Sequence, residues 1–180
     1  MTTPGRLEES HIAGYNTLAR QFVGELHRAL PNMTYAAKLE QTLEIRFAAK
    51  NPEVGDLWVV IEPDEITVCI GRYFHSHCWP NRGKGDSQEQ AEAVAIKEAI
   101  ELIRGVFEDK IVMELCYRGT RLVWTSLRPL SRDVWSHEVE IDSAPPWTAL
   151  FHWLMGRKKT TKCYVWSGPC QPAQQQKRNG

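Results

Sequence analysis

The segment Leu57-Trp58-Val59-Val60-Ile61-Glu62-Pro63-Asp64-Glu65-Ile66-Thr67-Val68-Cys69-Ile70 decides the fold. Leu57 to Ile61 is a short apolar, β-branched run, and Glu62-Pro63-Asp64-Glu65 is a charged break. From Ile66 to Tyr73 apolar and polar residues then alternate, with Ile66, Val68 and Ile70 on one side. Period two is the strand signal, so two such runs around a short break predict an antiparallel hairpin with one buried face.

Upstream, Leu43, Ile45 and Phe47 alternate with Thr42, Glu44 and Arg46, which predicts another half-buried strand, followed by turn chemistry at Asn51-Pro52 and Gly55-Asp56. Between Leu7 and Leu30 the apolar residues recur at three and four, the spacing of one helix face, until Pro31-Asn32 ends it. Downstream of the polar loop Asn81–Asp86, Ser87 and Gln90 form a capping-box pattern opening a helix to about Glu108. Its apolar side is expected to carry Ala91, Val94, Ala95, Ala99, Leu102, Ile103, Val106 and Phe107, opposite Glu89, Glu92, Lys97, Glu98, Glu101 and Arg104. Lys110–Tyr117 and Arg121–Leu127 flank the tight turn Arg118-Gly119-Thr120.

The order is helix, three strands, helix, two strands. Hairpin connections imply an α+β fold, a mostly antiparallel sheet of about five strands with two main amphipathic helices packed on it. Residues 1–130 read as this core domain. Residues 131–170 read as an aromatic-rich C-terminal extension on or beside it, with Pro145-Pro146 breaking the chain and a short apolar helix over Trp147–Met155; 171–180, QPAQQQKRNG, has the composition of a disordered tail.

The 22 basic and 22 acidic residues cancel, which argues against a surface built for nucleic acid or anionic lipid. No apolar run approaches the length needed to span a bilayer, and MTTPGRLEES lacks a signal-peptide core, so the cytoplasm is the expected location. Five cysteines without a CxxC pair fit reduced thiols, with Cys69 and Cys116 expected as small core residues.

The most distinctive composition is Tyr73-Phe74-His75-Ser76-His77-Cys78-Trp79-Pro80, at a strand end. Histidines two apart on extended chain project from one side, so His75 and His77 could reach one metal while Cys78 faces the other way. Zinc is therefore the alternative cofactor; the leading expectation is none, because the further candidates His137, His152, Cys163 and Cys170 are scattered. A Cys78 nucleophile with His75 or His77 as base is a further arrangement of these residues. Neither a nucleophile elbow nor a phosphate-cradling loop is present: Gly83-Lys84-Gly85 is a short basic turn, and the balance favours a non-enzymatic protein. Glu62, Asp64 and Glu65 read as a solvated turn.

Arg157, Lys158, Lys159 and Lys162, with Tyr164 and Trp166 after them, form the alternative nucleic-acid surface, touching phosphates and stacking on bases. Trp135, Trp147, Trp153 and Trp166 lie in the half with weaker periodicity, where with Arg128 and Arg132 they make a recognition surface or close the back of the sheet.

The stretch Glu62–Trp124 resembles small bacterial toxin-immunity proteins: a strand EITVCIG, a histidine-rich strand end FHSHCW, an acidic amphipathic helix and the strand pair IVMELCYRGTRLVW. It departs from that pattern at Cys78, where another aromatic is common. The resemblance implies a protein that binds and neutralises a partner toxin or defence effector, as phage or plasmid counter-defence proteins also do. Specificity then falls to exposed aromatics and charges, and Tyr73, His75, His77, Trp79, Trp135 and Trp147 are the expected partner-binding residues.

Overall fold

Alternation along the chain becomes a six-stranded antiparallel meander, and the following strands build a second, smaller sheet. The computed structural model describes residues 4–80, 87–118, 120–130 and 159–169. Asn81–Asp86, the Pro145-Pro146 break, the expected helix over Trp147–Met155 and the tail 171–180 lie outside the described residues.

The first sheet holds β1 (Pro4–Gly5), β2 (Tyr35–Leu39), β3 (Leu43–Phe47), β4 (Leu57–Ile61), β5 (Ile66–Ile70) and β6 (Phe74–Cys78), each paired with the next. The hairpin expected from the opening segment forms with Ile61 opposite Ile66 and Leu57 opposite Ile70. Leu43, Ile45, Phe47, Leu57, Val59, Ile61, Ile66, Val68 and Ile70 are buried, one face of three strands.

That face is covered by α2 (Thr17–Ala29) and α3 (Gln88–Phe107), with α1 (Glu9–Ile12) a single preceding turn. The helix expected to run unbroken from Leu7 divides because Asn16 caps α2, its side chain accepting the Ala19 N–H at 2.8 Å. The Ser87–Gln90 capping box forms as the sequence predicts. The buried stripe of α3 is rotated relative to the expectation: Val94 is 55% exposed, while Ile96 and Ile100 are inside. Glu92 is buried with them, its carboxylate accepting a Gln88 amide hydrogen at 2.8 Å.

In the first sheet three strands, β1, β2 and β6, have no counterpart in the sequence reading. β2 carries little alternation, and β6 was expected as the end of the strand before it. The chain instead reverses at Gly71–Tyr73 and returns, because Gly71 takes a positive φ of +56°. Cys69 and Cys116 are half-buried rather than core residues. Cys69 shares its parity with Thr67, on the face away from the helices.

After α3, β7 (Ile111–Arg118) and β8 (Arg121–Pro129) pair with each other and not with the meander. β9 (Lys159–Val165) adds to the other side of β7, and β10 (Gly168–Pro169) to β9. The described end of the expected C-terminal extension is therefore part of a four-stranded sheet with β7 and β8. Met113, Leu115, Tyr164 and Trp166 from this sheet join the same core as the meander.

Candidate functional site

The outward face of the meander grades from charge to aromatic and imidazole. Cross-strand register places Arg46, Trp58, Cys69 and His75 in one row and Glu44, Val60, Thr67 and His77 in the next. At the β2–β3 side Lys38 pairs with Glu40 at 3.0 Å and Glu44 at 3.7 Å, and Arg46 pairs with Asp56.

At the β6 side the geometry is tighter. His75 and His77 are exposed and stand edge to face with ring centroids 5.1 Å apart; His77 stacks on Trp79 at 5.4 Å with planes 10° apart. Trp79 is 52% exposed. Phe74 and Cys78 point the opposite way into the core, as strand parity requires.

Glu65 organises this cluster. Its carboxylate accepts from the Thr67 hydroxyl at 2.7 Å and pairs with His77 Nδ1, and it also receives a hydrogen bond from Trp79. Those three partners, Thr67 first, hold its pKa down at about 2. The reading of Glu65 as a solvated turn residue is thereby corrected. The carboxylate engages Nδ1 of His77 and so fixes the orientation of the ring.

The thiol arrangement weighed from the sequence does not assemble. Cys78 lies on the opposite face from both histidines, and burial pushes its thiol up to about 11. Among the described residues no group of three or more His, Cys, Asp or Glu side chains gathers to hold a metal ion.

The remaining expected site residues separate. Tyr73 turns away to line a cleft with Tyr117, Lys162 and Tyr164 at the second sheet. Trp135, Trp147, Arg157 and Lys158 lie outside the described residues, and Lys159 begins β9. Tyr164 and Trp166, expected to stack on bases, are 5% and 1% exposed. Sequence reasoning missed Glu65 and Thr67, whose signal is the register that sets Thr67 opposite His77, legible only once the chain reverses at Gly71.

No family model, curated protein or solved structure matches this chain.

Proposed function

We propose that the chain is a non-enzymatic binding protein that engages and neutralises another protein, in the manner of an immunity or counter-defence protein, through the β6 side of its open sheet face. The observation that carries this is the exposed strip His75, His77 and Trp79, pre-ordered by Glu65. A large ring held in one rotamer loses little entropy on binding, and tryptophan is among the residues that most often dominate an interface. We place the encounter in the cytoplasm, where the free thiols of Cys69, Cys78 and Cys116 stay reduced. Among the described residues no helix is long and apolar enough to cross a membrane.

The test is affinity capture from host lysate with wild-type chain and a His75→Ala/His77→Ala/Trp79→Ala variant, followed by calorimetry with the purified captured protein. The expected result is a stoichiometric complex whose Kd rises about 30-fold or more on Trp79→Ala alone, the loss typical of a hot-spot residue. Equal binding by the triple variant, or no stoichiometric partner, overturns the reading.

One observation favours a second reading. A carboxylate behind one imidazole nitrogen is the arrangement that orients metal-ligating histidines, and Glu65 stands in that relation to His77. Elemental analysis decides it: zinc near one equivalent, lost in His75→Ala/His77→Ala, replaces the first reading with a metal-binding one.

A further inference from the structure

A cleft of about 270 Å³ opens where the β3–β4 loop and the β5–β6 turn meet β7 and β9, lined by Glu53, Arg72, Tyr73, Tyr117, Lys162 and Tyr164 among others. That volume equals about nine waters at roughly 30 Å³ each, the scale of a small ligand.

One wall is rigid for a local reason. Gly55 and Gly71 have φ of +81° and +56°, and a Cβ on Gly71 would lie 1.8 Å from the Val54 carbonyl oxygen. The Gly71 N–H donates to the Asp56 carbonyl at 2.7 Å. Asp56 in turn accepts the Ala49 N–H at 2.8 Å and pairs with Arg46, so loop and turn are clamped together.

The polar groups inside are set out as donors. Desolvation, and after it the neighbouring Glu53 carboxylate, raises the pKa of buried Tyr164 and keeps it a phenol. Tyr73 and Tyr117 line the cleft together, and each phenol carries one hydrogen that it can donate. Lys162 Nζ stands 5.6 Å from the centroid of the Tyr117 ring, and Arg72 comes from the turn. Among the described residues neither cation has a carboxylate within ion-pair distance, Glu53 in the same cleft included.

Two cations without an ion-pair partner among the described residues, and phenolic hydroxyls lining the same concavity, suit a ligand that accepts hydrogen bonds and carries negative charge. We propose that this cleft binds the oxyanionic group, phosphate or carboxylate, of a small ligand. The lining does not include His75, His77 or Trp79, and the proposal does not depend on the function proposed for them.

The full chain with isotope-labelled tyrosines is titrated by NMR at pH 7 with sodium phosphate, sodium acetate and sodium chloride at matched ionic strength. The expected result is a saturable shift of the Tyr73, Tyr117 and Tyr164 resonances with phosphate, acetate or both, and none with chloride. Lys162→Met and Arg72→Gln should each weaken that response about tenfold or more, while Lys38→Met on the open face leaves it unchanged. Response to phosphate alone assigns a phosphate ligand, and response to acetate alone a carboxylate. Shifts that follow ionic strength in all three salts, or full affinity in both Lys162→Met and Arg72→Gln, overturn the proposal. Arg72 is exposed in a turn, so its substitution keeps the test valid if Lys162→Met fails to fold.

Discussion

Glu65 sits just before β5, yet Thr67 of β5, His77 of β6 and Trp79 just beyond β6 all engage its carboxylate. Its carboxyl titrates at about 2 in the folded chain against an ordinary 4.5, so its contribution to stability is complete above about 4.5 and is lost as pH falls towards 2. Urea unfolding between pH 6 and pH 2.5 should show this acid-side loss, and Glu65→Gln should flatten it; an unchanged slope would remove Glu65 from the account. Gly71 is the other residue with an outsized role, since no side chain fits between it and Val54. Gly71→Ala is expected to cost about 3 kcal/mol or more in denaturant unfolding, from the steric clash at a positive φ. Gly14→Ala, whose Cβ meets nothing within 4 Å, should stay within about 1 kcal/mol of wild type.

At the scale of elements, the helices and the central hairpin were legible because each follows from local chemistry. The Ser87–Gln90 box starts α3 where the pattern says, and Ser87→Ala should lower stability by about 1 kcal/mol, read from the shift in urea midpoint at constant slope. β6 was not legible. Phe74–Cys78 continues the alternation of the preceding residues, so nothing in its period reveals that Gly71–Tyr73 reverses the chain. The reversal makes His77 a neighbour of Thr67 and His75 a neighbour of Cys69, and so creates the candidate face. The rotated stripe of α3 has a similar origin: Val94 and Ile96 are equally apolar, and which of them is buried depends on where the sheet lies.

Across the whole molecule, a chain of rings links the two sheets. Tyr35 meets Phe47 at 5.6 Å, Phe47 meets Phe107 at 5.1 Å, and Phe107 meets Trp166 at 5.3 Å, each edge to face. The chain runs from β2 and β3 through the end of α3 to the β9–β10 turn, where the Ser167 N–H donates to Asp109 at 2.9 Å. Trp166→Ala should therefore destabilise the protein by about 3–5 kcal/mol, the usual cost of emptying a large buried aromatic site. Fluorescence and far-UV circular dichroism should still report one coincident transition; a separate early transition would show that the second sheet unfolds alone.

By itself the sequence determined the α+β class, the β4–β5 hairpin, the capped α3 and that His75 and His77 share one side of extended chain with Cys78 on the other, because caps, turns and strand parity act within a few residues. Tertiary structure alone decided that β7 and β8 leave the meander for a second sheet, and that Tyr164 and Trp166 serve the core rather than a surface. It also decided that Tyr73 and Lys162, 89 positions apart in the chain, line one cleft. Those outcomes depend on which strand edges meet and which apolar faces cover each other, and strand pairing over long separations leaves no periodic mark on either partner.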